Sequence, residues 1–224
     1  MSIKSSRLKD LNVKDIIGSI VQKFFSIKET TSNDTDSMIL SRLLERRSTR
    51  SQVKDTANEK DDTGERKGSS AMALGRSRCG PAGLGLFLLG LDVVLTDIAP
   101  VMPALRRNLK RNRSALPRAP KHAQLYWNNS EQIRALRPPF DLVIAADVVY
   151  MEDSAAQLVS AMEALVADDG AILLGYQLRS PEAHQVFWEL CHRTFPVIEK
   201  VPHEDLHPDY AYEETDVYIF RKRK

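Results

Sequence analysis

Cysteine is nearly missing from this chain: Cys79 and Cys191 are the only two in 224 residues. Two thiols cannot build a disulfide framework, and their spacing fits no zinc pattern, so a reducing, intracellular compartment is expected. Within that expectation the cytoplasm comes first and the nucleus second. Long hydrophobic runs are missing too. None approaches the ~20 residues that a membrane-spanning helix needs, and no membrane association is expected. Nor is there an excess of either charge, because 32 Lys+Arg stand against 30 Asp+Glu. The whole-chain balance therefore names no acidic or basic partner. What remains, 42% hydrophobic and 28% charged residues, is ordinary globular composition for one large domain or two small ones.

The averages conceal a division. Residues 1–80 carry 16 basic and 11 acidic residues, whereas 81–224 carry 16 and 19. In 27–70, 18 of 44 residues are charged and only eight are hydrophobic. That is too little apolar surface to offset about 1–2 kcal/mol of backbone entropy per ordered residue. A charged, disordered segment is expected there, with a short helix around Ser37–Arg47. Ahead of it, Leu8, Leu11, Ile16, Ile20, Phe24 and their neighbours recur at helical spacing, which predicts an amphipathic helix within 1–26. It would lie on the main domain; partner docking is the alternative, and Asp10 and Asp15 argue against a targeting presequence.

From about Gly80 the pattern changes. LDVVLTD, AQLYW, FDLVIAAD, GAILLGYQ and VYIF are short aliphatic and aromatic runs separated by stretches of helical period. Runs without polar alternation belong to strands covered on both faces, so 71–224 reads as an α/β domain with a doubly wound, mostly parallel sheet. Its first strand is reduced to Ala71–Leu74. Pro100 can open the helix after LDVVLTD, and Asp153 or Ser154 can cap a helix reaching Ala167. The next strand would begin at Gly170, after an Asp-Asp-Gly turn.

In such sheets ligands bind beyond the carboxyl ends of the strands. Four strand-end elements qualify here. The turn CGPAGLG, containing Gly80 and Gly83, can bring backbone N–H groups close to a ligand at a helix start. Asp97 ends the second strand, where a carboxylate can take two ribose hydroxyls or simply cap the next helix. No separate GxGxxG follows, which favours a nucleoside over a dinucleotide. Trp127 can stack on a base or cap the core. Asp147 and Tyr150, after the run ending at Ala146, can orient a cationic amine, or serve as a cap and a buried ring.

Taken in this order, CGPAGLGLFLLG, LTDIAPVMPALRRNLKRN, LYWNN, FDLVIAADVVY and TDVYIF resemble the seven-β-strand, S-adenosylmethionine-dependent methyltransferases. More narrowly, they resemble the non-histone protein-lysine methyltransferases related to methyltransferase-like protein 21. Asp147–Tyr150 matches that group's [D/E]xx[Y/F] signature. The resemblance implies a Rossmann-like seven-stranded sheet with an antiparallel last strand, and methyl transfer to a lysine of a protein substrate. It places S-adenosylmethionine on Gly80, Gly83, Asp97, Trp127 and Ala146, with Asp147 and Tyr150 lining the lysine channel. The chain departs from the group in one motif. Where its members carry an E-L-G-x-G glycine pair before C-G-P, this sequence has Leu74-Gly-Arg-Ser-Arg78. The expectation is therefore a methyltransferase weakened at the methionine end of its cofactor; the alternative is a catalytically inactive binding module of the same fold.

Methyl transfer of this kind needs no metal. His203 and His207 sit in an acidic stretch, 202–216, which holds six acids and no Lys or Arg and could attract a basic protein. Seven Lys or Arg and no acid lie between Ile98 and Ser130. That patch reads as a solvated helix face rather than a nucleic-acid surface.

Overall fold

The computed structural model describes residues 70–75, 81–88, 90–206 and 213–223. The expected helix within 1–26 and nearly all of the charged segment 27–70 lie outside the described residues.

Seven strands form one sheet. In chain order the elements are β1 (Ser70–Gly75), α1 (Pro81–Leu88), β2 (Asp92–Asp97), α2 (Met102–Arg111), β3 (Lys121–Gln124) and α3 (Ser130–Ala135). They continue with β4 (Phe140–Ala146), α4 (Glu152–Leu165), β5 (Val166–Tyr176), α5 (Pro181–Thr194), β6 (Val197–Lys200) and β7 (Asp216–Arg221). The strand order is β3-β2-β1-β4-β5-β7-β6. β7 alone runs against its neighbours β5 and β6, and the pairings from β3 across to β5 are parallel. This is the expected doubly wound sheet with an antiparallel last strand.

The apolar runs have the burial that their composition demands. Ala71, Ala73, Val93, Leu95, Leu142, Ile144 and Leu173 pack on one face with α1 and α2. Met72, Val143, Ala145, Ile172 and Leu174 point the other way, against α4 and α5. Period-two alternation thus persists, but both phases are apolar because helices cover both faces. Although it lacks β-branched residues, β1 is central and pairs along its length with β2 and β4. Ala71 and Ala73 give the helices on their face a close approach, while Met72 fills the other face. Thr96 adds a buried cross-strand bond, its Oγ1 donating to the Ala73 carbonyl at 2.8 Å.

Several boundaries differ from expectation. Residues 99–101 turn before α2, which has Pro103 in its first turn and no side-chain cap. α4 starts at Glu152 after Met151, with Asp153 and Ser154 inside the first turn; the Ser154 hydroxyl donates to the Met151 carbonyl. β5 begins at Val166, directly after α4. The register shift between Phe140 and Leu142 absorbs the Asp-Asp-Gly segment within the strand. A Cβ on Gly170 would stand 2.9 Å from the Asp141 carbonyl oxygen. The glycine therefore permits close strand approach rather than a turn. Gly90, at φ +93°, does make a turn, between α1 and β2.

Candidate active site

β1 and β4 are neighbours at the point where the winding reverses, and their last residues, Gly75 and Ala146, are register partners. Ligands bind at this crevice in parallel α/β sheets. Asp97 ends β2 beside it and is 6% exposed. Its Oδ1 accepts from the Ile98 amide at 2.9 Å, which turns the carboxylate back over the strand end. The loop after β3 is fixed next to it: the Leu125 amide donates to the Asp97 carbonyl at 2.9 Å. Gln132 then braces the loop from α3, its Oε1 accepting from the Tyr126 amide and its own amide donating to the Asn129 side chain. Trp127 is therefore not the strand end expected from sequence. It stands three residues beyond β3, on a loop that hydrogen bonds hold in place.

A cavity of about 330 Å³ opens here, bounded by the end of β2, the loop 125–128 and the start of α4. Asp97, Trp127 and Tyr150 all line it. Its volume is at the lower end of the range for small-molecule sites, about 300–1,000 Å³. Its donor set fits a nucleoside: a buried carboxylate for hydroxyls, Ile98 and Leu125 with the Trp127 indole for ring faces, and Gln157 on the α4 wall. Gln157 Oε1 is a buried side-chain oxygen with no hydrogen-bond partner.

The remaining expected cofactor residues are placed differently. Ala146 is buried at the tip of β4, beside Gly75. Gly83 lies within α1 and faces the sheet, where a Cβ would meet Leu95 Cδ2 at 2.0 Å and Ala73 Cβ at 3.2 Å. The structure thus gives Gly83 a packing role. Gly80, with Arg76 and Arg78, lies outside the described residues.

Asp147 is the first residue after β4 and has φ +51°, in the left-handed region. Its amide donates to the Gly175 carbonyl at 3.0 Å, extending the β4–β5 pairing past the strand end. Its carboxylate does not line the cavity. Instead it takes a bidentate pair from Arg179: Nε donates to Oδ1 at 2.8 Å and Nη2 to Oδ2 at 2.9 Å. Both side chains are about one-third exposed. The hydrogen bonds it donates to Asp147 hold the guanidinium above its ordinary pKa. Sequence reasoning overlooked Arg179 and Gln157, although each had a signal. Arg179 is the first charged residue after β5. Gln157 follows Asp153 at i+4 and Ser154 at i+3, hence on the same face of α4.

Elsewhere, Arg106, Arg107, Lys110, Arg111 and Arg113 are exposed along α2 and the turn after it. No group of three His, Cys, Asp or Glu able to hold a metal occurs among the described residues; His207 lies outside them. His203 Nε2 instead lies 3.4 Å from Asp216 Oδ1. No helix among the described residues is long and apolar enough to cross a membrane.

A sheet of this order, with an acid closing β2 and an aromatic-walled cavity beside it, is the architecture of the Rossmann-like methyltransferases. The glycopeptide N-methyltransferase MtfA has the same fold (TM-score 0.54, 14% identity, 82% of this chain and 90% of that one). So does the fibrillarin of Aeropyrum pernix with natively bound S-adenosyl-L-methionine (TM-score 0.50, 17% identity, 69% and 66%).

The model of a family described as lysine methyltransferase matches residues 34–194, and the chain belongs to that family. It is 30% identical over 168 residues to mouse protein N-lysine methyltransferase METTL21A, covering 71% of this chain and 68% of that protein. It is 26% identical over 157 residues to mouse EEF1A lysine methyltransferase 3, covering 70% and 62%. The family match begins at residue 34, inside the segment expected to be disordered.

Proposed function

We propose that this chain methylates a lysine of a cytoplasmic protein, with Asp97 and Trp127 holding the nucleoside of the cofactor and Asp147 and Tyr150 receiving the lysine. The observation that carries this reading is that Asp97, Trp127 and Tyr150, from three separate elements, line one cavity at the carboxyl edge of the sheet. When bound, S-adenosylmethionine supplies an electrophilic methyl group on a sulfonium. Positioning is the main task left to the protein. The buried Asp97 carboxylate accepts from paired hydroxyls, and the indole covers a ring face. Asp147 oxygens accept from the amine as it arrives, and the Tyr150 ring and hydroxyl confine it. The amine attacks only when neutral, so the site must let its proton leave to solvent.

A protein substrate is supported by a second feature. The exposed large hydrophobic residues among those described are Tyr126, Met151 and Leu178, the last at 57%. They stand on the loops after β3, β4 and β5, at the edge where the cavity opens. Apolar side chains grouped beside a site offer a partner a surface to bury.

The test is transfer of a radiolabelled methyl group to proteins of a cell lysate, with Asp147→Ala alongside. Label on lysine of a protein, abolished by the substitution, is expected. Absence of label on any macromolecule, with the cofactor nonetheless bound, would leave an inactive binding module. Label on RNA would overturn the protein substrate.

A further inference from the structure

Arg179 spends only part of its guanidinium on Asp147. The pair is made side-on, through Nε and Nη2. A guanidinium carries five N–H donors in a rigid fork, so the end-on edge between Nη1 and Nη2 is left over. Among the described residues no acceptor meets that edge, and the side chain is 37% exposed. An edge of this kind takes a carboxylate bidentately. The surroundings single this cation out. Residues 98–101, 125–129, 147–151 and 177–180 follow β2, β3, β4 and β5, and Arg179 is the one Lys or Arg among them. The first turns of α4 and α5 add Glu152, Asp153 and Glu182. Exposed Leu178 precedes the arginine, so an apolar contact adjoins the charged one. The Asp147–Arg179 pair is itself neutral in sum. An arriving lysine ammonium brings a positive charge that the pair does not balance, and a carboxylate carried beside that lysine would balance it.

We propose that Arg179 is a specificity-determining residue, whose outer edge binds the carboxylate of an Asp or Glu lying within two residues of the methylated lysine. This rests on the reading in which Asp147 receives the lysine, and it adds what the substrate carries beside that lysine. Because Arg179 touches Asp147, the neighbours of a lysine held there come within reach of the guanidinium. In an extended segment residues i and i+2 project to the same side about 6–7 Å apart. One can then reach Asp147 while the other meets the far edge of the guanidinium. A carboxylate displaced toward α4 or α5 meets like charge instead, on Glu152, Asp153 or Glu182, so the position of the acid counts as well as its presence.

The test starts from proteins of a cell lysate labelled by the full chain with deuteromethyl S-adenosylmethionine, the modified lysines being located by mass spectrometry. An Asp or Glu within two residues of the labelled lysine is expected. That acid is then changed to Asn or Gln in the purified substrate protein, and both forms are assayed with wild type and with Arg179→Met. In wild type the change should raise KM about fivefold, the upper end for a partly exposed ion pair, and leave kcat within about twofold. With Arg179→Met the two substrate forms should have the same KM, an outcome that a merely structural role for Arg179 would not give. Labelled lysines without an acid in that range, or the same KM penalty with both enzymes, would overturn this proposal alone. An absence of any labelled lysine would overturn the methyltransferase reading on which it rests.

Discussion

Gly83→Ala is expected to damage packing rather than cofactor binding, and the size of the effect follows from the contacts. A methyl group at this position would sit 2.0 Å from Leu95 Cδ2 and 3.2 Å from Ala73 Cβ. Leu95 is 1% exposed and lies in a core filled from α1, α2 and the sheet, so it has little room to retreat. Overpacking of this kind costs about 1–3 kcal/mol, and so severe an overlap belongs at the upper end. Alanine is a better helix former than glycine by about 1 kcal/mol, which leaves a net loss of roughly 2 kcal/mol. Leu95→Ala alone should cost about 2–5 kcal/mol through its cavity. Combined, the new methyl occupies part of that void and the clash disappears, leaving only the tight approach to Ala73. The double variant should then be more stable than the sum of the two losses by about 2 kcal/mol, since residues in contact couple on this scale. Urea unfolding of the four proteins measures the coupling, and calorimetry with S-adenosylhomocysteine on the folded variants measures the site. Additivity within about 0.5 kcal/mol would refute the packing argument. Unchanged stability with lost binding would show that Gly83 serves the ligand directly.

Four further outcomes follow from the geometry. Arg179→Met strips the counter-ion from Asp147, so an arriving lysine ammonium meets an uncompensated carboxylate and holds its proton longer. The acid limb of the pH–rate profile should move up by on the order of one unit, with stability changed by less than about 1 kcal/mol because the pair is partly exposed; an unmoved limb would count against a role for Arg179 at the site. Leu178→Ser should raise KM for a protein substrate about threefold or more, by removing an exposed apolar contact of roughly 1 kcal/mol, and leave cofactor affinity untouched. The Cys191 thiol is fully buried, which pushes its pKa up to about 12. Peptide mapping should therefore find it unalkylated by iodoacetamide at pH 8 until the chain unfolds. At Asp216 burial works to raise the pKa, but hydrogen bonds from Lys200 and His203 outweigh it and leave it lowered. A carboxylate with a lowered folded-state pKa contributes stability that is complete above its ordinary value of 3.8 and is lost as pH falls through the folded value. Asp216→Asn should narrow its stability gap to wild type below pH 4, as seen by thermal unfolding across pH 3–7.

The sheet was legible because its runs are apolar on both phases. FDLVIAAD could only be a strand covered twice, and β4 lies at the centre with helices on both faces. Asp97 was legible because a polar residue ending such a run has to sit at the sheet's edge. What could not be read depended on distance across the fold. Arg179 is 32 residues from Asp147 and becomes its partner only because β4 and β5 are paired in parallel. Gly83 carried two meanings in sequence, a ligand turn or a close helix–strand approach, and only the position of Leu95 separates them. An Asp-Asp-Gly stretch signals a turn locally, but the β4–β5 pairing outweighs that signal and starts β5 at Val166. The loop after β3 reads as strand in the sequence because AQLYW is mostly apolar, although β3 itself ends at Gln124 and Gln132 braces the loop at the Tyr126 amide.

Asp147 joins these strands of argument. A non-glycine residue in the left-handed region costs on the order of 1 kcal/mol, and Asp is among the side chains that tolerate it best. The cost is sustained by two attachments to β5 and the loop after it: the amide on the Gly175 carbonyl and the carboxylate on Arg179. Strain over-determined in this way is characteristic of functional sites, and the inference runs from the observed backbone to the role. Each attachment does something different. The backbone bond fixes where the chain turns away from β4, so that Tyr150, three residues on, comes to line the cavity. The ion pair fixes the carboxylate and cancels its charge. A methyl acceptor must be a neutral amine, and a fully charged, unpaired carboxylate would stabilise the ammonium and slow the reaction. On the proposed reading, the carboxylate would orient the amine with the lone pairs that Arg179 leaves, while the guanidinium weakens the field that would hold the proton in place. The arginine after β5 and the acid after β4 thus form one ion pair, although the sequence separates them by a helix and a strand.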